Sequence, residues 1–210
     1  MPSEHASNLQ KAMAHLSAND PHLAPVIAKV GTPTFEPHTD YYWELVDAII
    51  SQQLSIKAAR TIEQRFLALF GGKIPEPHQI LEKSIDELRS VGLSRAKASY
   101  VQDLATRIKE GKLKIESLPQ LPNDEIITEL VAVKGIGEWT AHMFMMFALG
   151  RLDILPVGDL GIKNGFKKVY ALDSTPTTAD MQALAAKYNW HPYESVASWY
   201  LWQALELKDD

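Results

Sequence analysis

Cysteine is missing from all 210 residues, and its absence removes disulfides, thiolate nucleophiles, iron–sulfur clusters and the Cys-ligated zinc of base deaminases. The seven histidines, His5, His15, His22, His38, His78, His142 and His191, show no metal-ligand spacing and read as surface or packing residues. No Gly-rich loop ending in Gly-Lys-Ser/Thr is present, which argues against nucleotide hydrolysis. No stretch approaches the roughly 18 apolar residues of a membrane helix. The first residues also lack a basic start followed by an apolar run, so the expectation is an intracellular, unsecreted protein with no membrane partner.

An excess of positive charge is lacking too, the formal net charge being −5. This weighs against a nucleic-acid partner, because non-specific affinity comes largely from Lys and Arg at phosphates. A bipolar molecule escapes the objection. Lys57, Arg60, Arg95, Lys97, Lys134, Lys163, Lys167 and Lys168 fall in or beside the segments singled out below, although an ordinary solvated face would look the same.

What is present is an ordinary globular composition, 46% hydrophobic and 22% charged. Period-two alternation is almost absent, so the fold class is all-α. Ser3 is positioned to cap a helix through Leu16, and a second helix is expected from Asp20 to Val30, stopped by Gly31. Asp40 to Phe70 is helical with a break near Ser51 to Ser55 and ends at Gly71-Gly72; shorter helices follow from Glu76 to Arg89 and a long one from Ser94 to Glu110. Asn123 is expected to cap the next helix, and three more are expected from Asp159 to Leu172, Thr177 to Tyr188 and Pro192 to Leu207. Leu88 to Ala98 weakly echoes Leu130 to Ala141 as helix, glycine turn and helix.

The chain is organised around Leu130 to Phe166. In Val133-Lys134-Gly135-Ile136-Gly137 the glycines permit a sharp turn with positive φ and leave main-chain N–H groups open to a ligand. The turn opens a helix at Glu138, whose N-terminal dipole favours a phosphate, while Ile136 plugs the turn into the core. A tight helix–helix turn that binds nothing has the same glycines; Lys134 beside it favours phosphate. Trp139, Met143 and Met146 or Phe147 share a helical face, a pattern common to cores. Asp159 follows Pro156-Val157-Gly158 and suits an N-cap as well as a catalytic acid.

Gly135-Ile136-Gly137, then Trp139-Thr140-Ala141, then Pro156-Val157-Gly158-Asp159-Leu160-Gly161 together resemble the helix-hairpin-helix DNA glycosylase superfamily. The alkylation-repair branch, 3-methyladenine DNA glycosylase II, is the most similar. Ala48 to Ser55, Val91 to Ala98, Trp190-His191-Pro192-Tyr193 and Ser195 to Trp202 agree in order, so the resemblance spans Tyr42 to Leu205. It implies two helical lobes with a cleft between them, one lobe from 1–36 with 155–210 and a central lobe from 37–154 holding the hairpin.

The same resemblance makes Asp159 the catalytic aspartate and puts Trp139, Met143, Trp202 and Leu160 at the base pocket. Met143 stands where some relatives have Tyr, and Glu194 where relatives commonly have a basic residue. Gln53 is implied to fill the space left by an extruded nucleotide and Ser55 to touch the minor groove, with Gln52, Lys134, Gly135, Ile136, Gly137 and Lys163 also among the DNA-binding residues. Where strand-cleaving relatives carry a nucleophilic lysine, two residues after Gly137, this chain has Trp139. The implied activity is a monofunctional glycosylase, likewise monomeric, that excises alkylated purines from double-stranded DNA. No cofactor is required, neither zinc nor an iron–sulfur cluster; Na+ or K+ at the carbonyls of Val131, Val133 and Ile136 is an implied structural ion. Three alternatives stay open: a non-catalytic hairpin module that binds DNA, a glycosylase for other damaged bases with lyase action, and a helical enzyme of small-molecule metabolism.

Overall fold

Polar residues that satisfy the first amides of each helix set most of the boundaries in the computed structural model, which describes residues 4–38 and 40–208. Asp40 accepts from the Trp43 amide ahead of α3 (Tyr41–Ser51), and Ser55 from that of Ala58 ahead of α4 (Ile56–Leu69). Upstream lie α1 (Glu4–Asn19) and α2 (Ala24–Val30); the Ser3 cap expected for the first falls outside the described residues. After α5 (Pro77–Leu81), Ser84 and Glu87 form a capping box for α6 (Ile85–Ser90), and Ser94 caps α7 (Arg95–Lys109). A 3-10 turn (Ile115–Gln120) leads to α8 (Asn123–Val131) and α9 (Glu138–Phe147). Asp159 caps α10 (Leu160–Val169), Thr177 with Asp180 caps α11 (Thr178–Lys187), and α12 (Glu194–Glu206) follows. Among the described residues there is no strand, and no helix is long and apolar enough to cross a membrane.

The chain divides into two units, Met1–Pro37 with Met145–Asp210, and His38–Phe144. The terminal unit is built on α12, which packs against α1, α2 and α10. Gly165 is what lets α10 come so close, since a Cβ there would lie 2.8 Å from the Leu201 carbonyl oxygen. Leu16, Leu23, Ile162, Phe166, Trp190, Tyr200 and Leu201 are fully buried in this unit's core, with Phe166 stacked on Trp190 at 5.2 Å. Burial of an aromatic of this size makes its truncation to Ala cost about 3–5 kcal/mol.

Asp20 does not start a helix. It is fully buried and accepts from the amides of His22 (2.9 Å) and Leu23 (3.1 Å), from the Trp190 indole (2.8 Å) and from the Tyr170 hydroxyl. Residues 145–154, assigned by sequence to the central lobe, group with the terminal unit. The reason is local: the Ser195 hydroxyl donates to the Arg151 carbonyl (2.7 Å) and accepts from the Ile154 amide (3.0 Å), and the Ser195 amide donates to the Leu152 carbonyl (2.8 Å).

In the central unit α7 packs against α3, α5 and α6. Its Lys97 ammonium donates to the carbonyls of Ile50 (2.7 Å) and Gln52 (2.6 Å), closing the C-terminus of α3. Burial pushes the Lys97 pKa down.

Candidate functional site

The turn between α8 and α9 is forced by one glycine and left open by the other. Gly135 has φ +83°, and a Cβ on it would lie 2.1 Å from Tyr100 Cδ2, so both its backbone and its neighbour demand glycine. Gly137 lies outside the left-handed region, and a Cβ there would meet nothing within 4 Å. Only the first glycine therefore serves the positive φ that sequence had suggested for both. The second leaves clear space beside the turn, while Ile136, 3% exposed, anchors the turn in the core.

The amides of the turn are not equivalent. That of Ile136 donates to the Val133 carbonyl (3.1 Å) and that of Lys134 to Asp103 Oδ2 (3.0 Å). The amides of Gly135 and Gly137 have no acceptor among the described residues, and α9 starts immediately after them. An anion there would meet free N–H groups and the positive end of a helix dipole.

Asp103, which sequence reasoning missed, braces this turn from α7. Burial alone would raise its pKa, but the Lys134 amide, the Arg107 guanidinium (3.0 Å) and the Lys134 ammonium (3.5 Å) hold the carboxyl below its usual value. Its only signal in the sequence was a carboxylate four residues before Arg107 on one helix face. Lys134 is thus shared with a carboxylate, and Lys97 is committed to α3 carbonyls.

Loop 52–55 belongs to the same unit. Gln53 is exposed and has φ +56°, a left-handed conformation uncommon outside glycine. The Gln52 side-chain amide donates to the Gly135 carbonyl (2.8 Å), so this loop and the hairpin are in direct contact. Ser55 is exposed and caps α4, flanked by Leu54 and Ile56, which are exposed apolar side chains.

On α9, burial separates residues that periodicity had put on one face. Met146 is fully buried and Met143 half-buried, whereas Trp139 is 50% exposed. An indole so placed at a helix start is not a core residue of its own unit. His142, one turn on, is buried; burial pushes its pKa down, against a smaller upward pull from Glu138, whose carboxylate is 3.8 Å away.

In the terminal unit Asp159 is the N-cap that the sequence allowed it to be. Its Oδ1 caps α10 by accepting from the Ile162 amide (2.8 Å), and the same oxygen accepts from the Trp202 indole N–H (3.0 Å). Gly161 makes the pair possible, since a Cβ there would sit 2.8 Å from Trp202 Cδ1 and 3.0 Å from Asp159 Oδ1. Trp202 lies 6.1 Å from Phe147, ring to ring. Leu160 is 69% exposed, and Lys163 is half-buried on the next turn of α10. Glu194 faces His191, 3.1 Å from its Nδ1. The structure therefore joins Asp159 to Trp202 and Gln52 to Gly135, while Trp139 belongs to the other unit from Asp159.

A half-exposed carboxylate whose orientation is fixed by two donors on one oxygen can stabilise a developing cation or align a water. Among the described residues no group of three or more His, Asp or Glu side chains could hold a metal ion.

Comparison with known proteins bears on the family and the fold. Residues 46–189 match the model of the HhH-GPD superfamily base excision DNA repair protein. DNA-3-methyladenine glycosylase 1 of Schizosaccharomyces pombe is 33% identical over 213 residues, covering 98% of this chain and 92% of its own. The solved DNA-3-methyladenine glycosidase of Bacillus halodurans superposes with a TM-score of 0.81 at 37% identity, covering 92% of this chain and 88% of that one. A 3-methyladenine DNA glycosylase of S. pombe in complex with abasic DNA also gives 0.81, at 34% identity, with 95% and 98% covered.

Proposed function

The chain belongs to the HhH-GPD superfamily of base excision DNA repair proteins, and from that premise we propose that it is a DNA glycosylase that hydrolytically excises alkylated purines of the 3-methyladenine and 7-methylguanine type from double-stranded DNA. The observation that carries the reading is the clamp on Asp159: one carboxylate oxygen held by the Ile162 amide and the Trp202 indole beside a glycine that admits no side chain. A cap alone needs only the first of these bonds.

The chemistry follows from the substrate. Reaching a glycosidic bond in a duplex requires rotating the nucleotide out of the stack, at a cost of a few kcal/mol. Gln53, on its exposed left-handed turn, offsets part of that by entering the vacated space. The amides of Gly135 and Gly137 hold the backbone phosphate while Lys134 adds charge. A purine alkylated at N3 or N7 is cationic, and an indole face attracts it by ~0.5–2 kcal/mol; Trp139 offers such a face. The alkylated base leaves readily, so the demand on the protein is to stabilise an oxocarbenium-like sugar. Asp159 does this and aligns the attacking water.

The absence of lyase action rests on Trp139 at the position where strand-cleaving relatives carry lysine. The carbonyls of Val131, Val133 and Ile136, at the negative end of α8 and in its turn, are neutral oxygen donors suited to a monovalent ion. When bound, such an ion supplies positive charge close to the phosphate.

The test is incubation with methylated duplex DNA and identification of the bases released. Asp159→Asn is expected to lower release by about 10²–10³-fold while largely preserving DNA binding. Near-normal turnover by that variant would sink the assignment, and strand nicking by the unmodified protein would refute the monofunctional reading.

A further inference from the structure

We propose that Gln52 is a positioning residue, bonded so that the hairpin and the Gln53 loop move as one body rather than itself reading DNA. The proposal rests on the glycosylase reading above for what the coupling achieves, but the coupling itself is a property of the free protein.

Gln52 is fixed at both ends. Its carbonyl accepts from the Lys97 ammonium (2.6 Å), which also holds the Ile50 carbonyl (2.7 Å), so the end of α3 is tied to α7. Its side-chain Nε2 donates to the Gly135 carbonyl (2.8 Å). Gly135 is in turn the least adjustable residue of the hairpin, held by its φ of +83° and by the Tyr100 ring of α7. The next residue, Gln53, has φ +56°, and such conformations persist only where the surroundings over-determine them. The Leu54 amide, bonded to the Ser51 carbonyl (3.2 Å), and the Ser55 cap close the loop behind it.

One N–H of the Gln52 side-chain amide is therefore committed inside the protein, on the turn whose two free amides would face a phosphate. A phosphate that orders the hairpin orders Gln53 through this one bond, and the entropy of fixing the wedge is met before the nucleotide rotates. Binding of the backbone and filling of the stack become a single event.

Gln52→Met keeps the length of the side chain and deletes the donor; Gln52→Asn, one methylene short of Gly135, serves as an independent second variant. In single-turnover release from methylated duplex, each is expected to be slower by about five- to tenfold, the effect of one lost hydrogen bond, with less than a twofold change in duplex affinity. In a Gln53→Ala background the same substitutions are expected to add less than twofold, because the residue they position is gone. A purely structural role predicts multiplicative losses instead, and finding them would overturn the proposal. In the free protein, amide hydrogen exchange at Leu54 and at Lys134 and Ile136, the bonded amides of the two segments, should rise together in Gln52→Met; a rise in one segment alone would also overturn it. If the unmodified protein released no base, the glycosylase reading would fail while the exchange experiment still decided the coupling.

Discussion

The two glycines of the hairpin make opposite predictions, and the structure supplies the size of each. An alanine at Gly135 must take φ +83°, which costs a residue with a Cβ about 1–2 kcal/mol. Its Cβ would also start 2.1 Å from Tyr100 Cδ2 and 2.5 Å from Cγ, where ordinary contact is near 3.5–4.0 Å. Because Cγ lies at the root of the ring, the overlap is not relieved at a flexible tip; either the ring swings out of its packing or the turn lifts off α7, adding about 1–3 kcal/mol as overpacking does. Gly135→Ala is therefore expected to destabilise by about 2–5 kcal/mol, read from the shift in urea midpoint at unchanged slope. Tyr100→Ala in the same chain should recover the steric part and leave the φ part. Gly137→Ala meets no atom within 4 Å and needs no left-handed backbone, so its stability should stay within about 0.5 kcal/mol or improve slightly. Its methyl narrows the approach to the free amides, and affinity for abasic duplex should fall at least about fivefold, a fraction of one charge-assisted hydrogen bond. A Gly135→Ala protein within 1 kcal/mol of the parent would refute the packing argument. A Gly137→Ala protein that bound DNA normally would refute the anion site.

Gly161→Ala should push the Trp202 indole off Asp159 Oδ1, lowering base release about tenfold while the gain in helix propensity keeps the melting temperature within a few degrees; an unaltered rate would show that the indole bond is dispensable. Asp47 has its pKa pushed up to about 6 by burial and then by Glu63 and Glu44, so the folded state holds the proton more tightly and stability is lost as pH rises from about 4 through 6. Asp47→Asn should stabilise by about 1 kcal/mol at pH 7, allowing for solvent screening, and by nothing at pH 4; equal gains in melting temperature at both pH values would refute the assignment. Lys97 and Arg107 are committed inside the protein and Lys134 is shared with Asp103, which leaves few cations beside the hairpin for phosphates. The slope of log K against log salt for duplex binding should be shallow, about −2 to −4; a slope of −6 or steeper would mean that cations elsewhere dominate.

What could be read from the sequence were constraints a residue carries with it. Ser94 and Asp159 cap because their side chains reach an amide three residues on, and the break after Ser51 is where it was expected. Even local rules competed: Asn123 was expected to cap α8, but Pro122 takes that place, accepting the Ile126 amide at 3.0 Å, and Asn123 becomes the first helical residue. Asp20 looked like a helix start and is instead a buried acceptor, because the donors that claim it, on Tyr170 and Trp190, are 150 and 170 residues away. The same limit governs the candidate site. Lys97 and Lys134 were equivalent as cations on paper, yet one closes α3 and the other braces a turn against Asp103. Nothing in either local sequence distinguishes them, since the distinction lies in which carbonyl or carboxylate the fold delivers. Glycine behaves differently, because it is read by what it excludes. Gly135 is dictated by a ring 35 residues upstream, Gly161 by an indole 41 residues downstream, and Gly137 by nothing within the protein. A glycine that no neighbour requires, carrying one of the two free amides at a helix start, is on the proposed reading kept clear for a phosphate, and that residue is where the case for a bound phosphate is strongest.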